Sequence, residues 1–322
     1  MKYRNNNLEL NKLGLGCGGM IIDDNKFENI ATIHEALDFG INHLNTADFY
    51  GYGKSEMVIG EALKGQRRDK AFISVKFGML GAPNGSIYGL DVRPQTIKNY
   101  LTYTLKRLNL DYIDLYQPAR IDLGIPIEET IGAISDLVKA GYVKNIGLTQ
   151  VDADTIRKAD SVYPISFLEA EYSLFNRSIE KEILPTAREL GIGVVAFGGL
   201  AHGLLSGTWS KSKPHAYNSF IPLFFEENID KNLELVEELR KIADEKHITI
   251  PQLSLAWLLS KGNDIITLIG ASRRTTLQDS LKSIKVNLSE NDIQRIEKAI
   301  PENKIAGASF PKREFRNGVA VR

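Results

Sequence analysis

Tyr50 stands in Ala47-Asp48-Phe49-Tyr50-Gly51-Tyr52-Gly53, just past the short apolar run His43 to Thr46, and Lys76 closes the run Ala71 to Lys76. If the two meet, the ammonium stabilises the phenolate, lowers the tyrosine pKa and makes the hydroxyl a better general acid towards a carbonyl oxygen. The bland alternative is a solvated strand-end lysine and a packed loop tyrosine, and spacing alone leaves both open. Other chemistries lack their residues. His34, His43, His202, His215 and His247 contain no HxH or HExxH pair, so no metal is expected. Ser206 lies outside any G-x-S-x-G elbow, so nucleophilic hydrolysis is unsupported. Cys17, the single cysteine, is expected to be a buried structural thiol.

Forty basic against forty acidic residues leave a net charge of zero, which gives no global field for nucleic acid or an anionic membrane. A small-molecule partner is expected. One cysteine cannot form an internal disulfide, and MKYRNNNLELN lacks the apolar core of a signal peptide, so a cytoplasmic location is expected.

Gly14-Leu15-Gly16-Cys17-Gly18-Gly19 matches G-x-G-x-x-G, yet no helix opens directly after it, as a Rossmann turn requires. A close-packed strand end at a barrel mouth fits better, and there Gly16 would let a ligand approach the backbone. Arg273-Arg274 opens the last helical pattern of the barrel, where guanidinium donors and helix N-terminal amides together suit a phosphate.

The elements that must position these residues follow from hydrophobic period. Strands are expected at Leu13 to Cys17, His43 to Thr46, Ala71 to Lys76, Tyr112 to Tyr116, Asn145 to Thr149, Phe167 to Glu171, Gly193 to Phe197 and Ile265 to Ile269. Helical stripes separate them, such as Ile97, Leu101, Leu105 and Leu108 after Pro94, or Ile127, Ile131, Ile134 and Leu137 after Pro126. Eight strand-helix units without a Pro/Gly/Ser-rich linker predict one domain over 1–322, a (β/α)8 TIM barrel. A hairpin at Lys2 to Leu10, a helix at Glu290 to Ile300 and an irregular tail are expected as additions. The long connections Phe77 to Val92 and Gly198 to Ile229 are candidate pocket walls.

His43-Leu44-Asn45-Thr46-Ala47-Asp48-Phe49-Tyr50-Gly51, Ser74-Val75-Lys76-Phe77-Gly78, Asp111 to Gln117, Lys139-Ala140-Gly141-Tyr142-Val143, Ile146-Gly147-Leu148-Thr149, Glu171-Tyr172-Ser173-Leu174, Leu200 to Gly207 and Ile269-Gly270-Ala271 resemble, in order, the successive blocks of the aldo-keto reductases. The resemblance covers nearly the whole chain. It implies a barrel that binds extended NADPH without a Rossmann motif and passes hydride to an aldehyde or ketone.

It also implies roles for particular residues. The family's proton-donating tyrosine falls on Tyr50 and its lysine on Lys76. The aspartate that normally pairs with that lysine falls on Asn45, and the histidine at the end of the fourth strand falls on Ala119. Lys76 is therefore expected to lack a carboxylate and its pKa to tend downward on desolvation. Turnover on simple aldehydes is expected to be slow, and the double change Asn45→Asp with Ala119→His is expected to accelerate it. For the cofactor, the resemblance points to Gly16 and Asn45, to Thr149, Gln150 and Glu169 at the nicotinamide amide, and to Phe197 stacked on its ring. Gly198, Leu200, Gly203 and Leu205 resemble a pyrophosphate loop, and Gly270, Ala271, Ser272, Arg273, Thr276, Asp279 and Ser280 the segment around the 2′-phosphate. His202 lies in that loop, after the seventh strand, and is therefore not expected to replace the missing histidine. The missing residues also leave room for an alternative, an NADP(H)-binding regulatory or sensor barrel with little turnover. No oligomeric state follows from the sequence.

Overall fold

The computed structural model describes residues 9–21, 25–65, 67–211, 220–310 and 314–321. The strands and principal helices run β1 (Leu13–Gly16), α1 (Lys26–Phe39), β2 (His43–Ala47), α2 (Lys54–Ala62), β3 (Phe72–Phe77), β4 (Met79–Gly81), β5 (Ile87–Leu90), α3 (Pro94–Leu108), β6 (Ile113–Pro118), α4 (Ile127–Lys139), β7 (Val143–Thr149) and α5 (Ala153–Val162). The chain continues with β8 (Ile165–Glu171), α6 (Ile183–Glu189), β9 (Gly193–Phe197), α7 (Glu226–Glu245), α8 (Ile250–Ser260), β10 (Ile265–Gly270), α9 (Arg274–Leu281), α10 (Glu290–Ala299), β11 (Glu314–Arg316) and β12 (Val319–Val321). All eight expected strands form. They close in the order β1-β10-β9-β8-β7-β6-β3-β2 as a parallel barrel inside a ring of helices. This is the (β/α)8 TIM barrel.

Strand burial explains the sequence pattern. β3 and β8 are buried at every position, because one face meets the helices and the other the barrel interior. Outward side chains such as Leu13, Leu15, Ile73, Val75 and Leu168 belong to the main core, while Phe72, Leu115, Phe167, Val195, Ile266 and Leu268 form a second cluster inside the barrel. The Phe72 and Phe167 rings meet across that interior at 5.8 Å. Side chains two residues further along the same strands share the inward face. There the interior turns polar, with Ser74, Lys76, Gln117 and Glu169 one or two steps closer to the C-terminal mouth than the apolar plug.

The formal glycine fingerprint ends a strand. Gly14 and Gly16 belong to β1, and among the described residues no helix opens before Lys26. The N-terminal hairpin expected at Lys2 to Leu10 lies outside the described residues except for Glu9 and Leu10, which join no strand.

The long connection Phe77 to Val92 folds as the β4–β5 hairpin, and the tail expected to be irregular forms a second hairpin, β11–β12. The two join through Val319 and Gly89 into a four-stranded sheet. Asp122, on the loop after β6, holds the tail in place. Its carboxylate accepts from the backbone amides of Gly124 at 2.7 Å, Asn317 at 2.8 Å and Gly318 at 2.5 Å. Among the described residues, no helix is long and apolar enough to cross a membrane.

Candidate active site

β2 ends at Ala47, in register with Lys76 on β3, and the chain then turns sharply through Gly51, Tyr52 and Gly53, all at positive φ. That turn sets Tyr50 above the barrel mouth, where it packs edge-on against Phe49. Gly18, in the loop after β1, lies beneath the ring: a Cβ there would come within 3.3 Å of the Tyr50 ring. The Lys76 ammonium stands 5.2 Å from the ring centroid. The structure therefore brings the two together, and the solvated-lysine alternative fails, since Lys76 is only 4% exposed.

Lys76 is not unpaired. Its Nζ donates to Glu169 Oε1 at 2.8 Å and to Asn45 Oδ1 at 2.6 Å. Burial works against its charge, but the Glu169 carboxylate, with Tyr50 as a lesser contribution, outweighs burial and holds its pKa above the usual lysine range. The expectation of a lysine without a carboxylate and with a falling pKa is thus overturned. A neighbouring strand supplies what position 45 lacks. Asn45 Nδ2 donates to Glu169 Oε2 at 2.7 Å and to Ser74 Oγ at 2.9 Å, and Gln117 Nε2 donates to the same Glu169 oxygen. Gly147 makes room for Gln117, because a Cβ there would fall 2.4 Å from Gln117 Oε1. His43 completes the layer against Ser74 Oγ at 2.8 Å, and burial, reinforced by Lys76, pulls its pKa to about 3.

Sequence reasoning missed Gln117, Ser74 and His43. The available signal was period two: His43 and Asn45 on β2, Ser74 and Lys76 on β3, and Gln117 in register with Lys76 are polar residues on the inward faces of otherwise apolar strands. A further buried group lies beside the Tyr50 turn. Asp48 Oδ2 accepts from the Gly78 amide at 3.3 Å, and burial followed by the nearby Glu56 raises its pKa to about 7. Glu56 is paired with Arg107. Burial also pushes the Cys17 thiol up to about 12, consistent with an inert buried residue.

Of the residues expected at the cofactor, Gly16, Thr149, Phe197 and Gly270 end strands, whereas Thr276, Asp279 and Ser280 lie on α9. Gly16 pairs with both Asn45 and Gly270, and Thr149 pairs with Glu169. The Thr149 hydroxyl is buried without a hydrogen-bond partner. Gln150, at φ 52°, uses its side-chain oxygen to accept from the Glu171 amide at 2.8 Å. Phe197 is half-buried at the end of β9, followed by Gly198 at φ 72° and the tight turns that carry Leu200, Gly203 and Leu205. At Gly203 and Gly270 a Cβ would meet open space. Ala271 is buried, Ser272 and Thr276 are exposed, and Ser280 is buried. Asp279 accepts from Gln252 Nε2 at 2.6 Å, which turns it towards α8. Arg273 is the exposed N-cap of α9. Arg274 is tied to Glu28, which takes its backbone amide at 2.9 Å and its guanidinium at 3.1 Å. His202 contacts Glu171 at 3.4 Å and the ring of Phe310 at 4.5 Å, so the tail reaches this wall of the mouth. An orphaned buried hydroxyl on Thr149 fits a nicotinamide amide, and an open glycine rim with an exposed guanidinium at a helix N-terminus fits a dinucleotide phosphate.

The profile of the aldo/keto reductase family matches residues 12–301. The chain is 37% identical to the probable aldo-keto reductase 1 of Glycine max, over 96% of this chain and 91% of that protein. It is 36% identical to the aldo-keto reductase yakc [NADP(+)] of Schizosaccharomyces pombe, over 93% and 91%. Among solved structures it superposes on the glycerol dehydrogenase AKR11B4 of Gluconobacter oxydans with a TM-score of 0.84 at 27% identity, covering 94% of this chain and 95% of that one. The holo form of the aldo-keto reductase AKR11C1 of Bacillus halodurans gives 0.78 at 27% identity, covering 94% and 96%. With a polar, lysine-centred mouth on a closed parallel barrel and a profile match over most of its length, the chain belongs to the aldo/keto reductase family of oxidoreductases.

Proposed function

We propose that this protein is an NADPH-dependent carbonyl reductase in which Tyr50 protonates the oxygen of an aldehyde or ketone and Lys76 makes that proton available. The observation that carries the reading is the buried Lys76 ammonium 5.2 Å from the Tyr50 ring, at the C-terminal mouth of the barrel. NADPH, when bound, supplies the hydride. Thr149 and Gln150 would meet the nicotinamide amide, Phe197 would lie against its ring, and the segment from Gly270 to Ser280 with Arg273 would hold the 2′-phosphate. The yakc relative carries NADP(+) in its name, which supports the choice of cofactor.

Lys76 favours the phenolate that remains after Tyr50 has given up its proton. Because its own pKa is raised, Lys76 keeps its charge through neutral pH. Just past β6, Ala119 offers only a buried methyl and so cannot donate to the substrate oxygen. That observation favours the second reading, a barrel that binds NADP(H) and turns over little. With a buried lone thiol and a small-molecule site, the chain is read as a cytoplasmic protein that engages neither nucleic acid nor membrane.

The experiment mixes purified protein with NADPH and a panel of aldehydes and follows loss of the reduced nicotinamide absorbance. Turnover that disappears in Tyr50→Phe, with NADPH affinity within a few-fold of the parent, is the expected result. Binding without turnover on every aldehyde would assign the regulatory reading, and full turnover in Tyr50→Phe would mean that another group donates the proton.

A further inference from the structure

A buried ammonium needs a counter-charge, because its desolvation is otherwise too costly for the charged form to persist. The groups facing Lys76 come from five places: Cys17 at the end of β1, His43 and Asn45 on β2, Tyr50 on the turn after β2, Gln117 on β6, and Glu169 on β8. Asn45 and Gln117 are neutral amides. Cys17 is a thiol deep in the core, His43 is spent on Ser74, and Tyr50 is the acid whose proton is at stake. Glu169 is the remaining anion.

Its geometry suits that duty. One carboxylate oxygen takes the Lys76 ammonium at 2.8 Å, and the second takes the Asn45 amide at 2.7 Å together with the Gln117 amide. Donors from β2, β3 and β6 thus converge on one side chain of β8, which is 3% exposed. The resemblance to the family placed Glu169 on the nicotinamide amide and the carboxylate partner of the lysine at position 45. In the folded chain these duties are redistributed. We propose that Glu169 is the positioning residue that keeps Lys76 charged and aimed at Tyr50, that Asn45 and Gln117 lock its carboxylate, and that it is not a cofactor contact.

The proposal rests on the reading of Tyr50 as proton donor but does not share its fate, because the charge on Lys76 can be followed without substrate. Removing the anion should lower the Lys76 pKa, whereas moving it to position 45 should restore it. The protein, labelled with 13C at lysine Cε, is titrated without cofactor by NMR, the Lys76 signal being assigned by its loss in Lys76→Met. Three chains are compared: parent, Glu169→Gln, and the exchange variant Asn45→Asp with Glu169→Gln. Lys76 in Glu169→Gln is expected to deprotonate about one pH unit or more below the parent, and the exchange variant to recover most of that difference. An unchanged midpoint in Glu169→Gln overturns the proposal.

Kinetics supply the second readout. Glu169→Gln should lower kcat about tenfold or more and bring the alkaline fall of kcat to lower pH, with NADPH affinity within about threefold of the parent. The exchange variant should regain both rate and profile. A tenfold loss of NADPH affinity with kcat intact would instead make Glu169 a cofactor contact. If Glu169→Gln does not fold, the exchange variant decides alone: a folded exchange variant whose Lys76 titrates well below the parent's overturns the proposal. A parent inactive on every aldehyde refutes the reductase reading and leaves the NMR comparison to stand or fall on its own result.

Discussion

The Asn45 side-chain amide donates to Glu169 Oε2 at 2.7 Å, joining two residues 124 positions apart that each depart from the pattern of the family the chain resembles. An aspartate at position 45 would press a second carboxylate onto the first, and one of the two would have to take up a proton. Restoring Asp at 45 while Glu169 remains is therefore not a repair. We expect Asn45→Asp alone to be slower than the parent at neutral pH, so any gain in the double change with Ala119→His must come from the histidine. Ala119→His, which adds a donor to the developing oxyanion, should by itself raise kcat/KM about tenfold or more, since losing one such donor typically costs about 2.7 to 4 kcal/mol. Steady-state rates on one aldehyde check both, and a gain in Asn45→Asp would show that the two carboxylates are not in conflict.

Arg273 and Arg274 should differ in their effect on the cofactor. Glu28 already holds the Arg274 guanidinium and backbone amide, and Arg274 in turn lowers the Glu28 pKa. Arg273 is exposed, with no ion pair shown among the described residues. Arg273→Ala should weaken NADPH by about tenfold or more, the scale of a charge-assisted contact of about 1.5 to 3 kcal/mol, and leave NADH nearly unchanged. Arg274→Ala should cost less. Fluorescence titration of both cofactors decides the matter, and equal NADPH and NADH affinities in the parent would refute the assignment.

Asp48 makes stability depend on pH. Burial, then Glu56, raises its folded pKa to about 7 from an ordinary value near 3.8, so the folded state holds a proton that the unfolded chain releases between those two values. Its contribution is fully favourable below about pH 4 and is lost as pH rises to about 7. Asp48→Asn should flatten this slope and make the protein more stable than the parent at pH 8, by up to about 4 kcal/mol relative to pH 4. Urea midpoints at the two pH values measure it. Parallel profiles for parent and variant would refute it.

Asp122→Ala should release the C-terminal hairpin. Three backbone amides, of Gly124, Asn317 and Gly318, would lose their acceptor, at about 1.5 to 3 kcal/mol for a charge-assisted hydrogen bond. Tryptic cleavage after Arg316 should accelerate several-fold while the barrel's unfolding midpoint moves less. Because the tail reaches His202 through Phe310, KM for the carbonyl should also change. Unaltered cleavage would mean that the β12–β5 pairing suffices to hold the hairpin.

What the sequence determined by itself was everything local in period and type. Alternating strands and helical stripes specified the barrel, because each strand of a closed parallel sheet is apolar on its outward face and each helix needs one apolar stripe to cover it. The turn chemistry after His43 to Thr46 and the strand end at Lys76 likewise marked Tyr50 and Lys76 as the residues at the mouth. The tail hairpin was not legible, because β11 and β12 are three residues each and gain their partner from Gly89, far away in the chain. Nor was the counter-ion of Lys76. Asn45 and Glu169 are separately readable as departures, but nothing in linear order says that β2, β3, β6 and β8 aim their side chains at one point. Closure of the barrel decides that, and it places the buried Glu169 carboxylate against the buried Lys76 ammonium, where little water is left to screen their attraction.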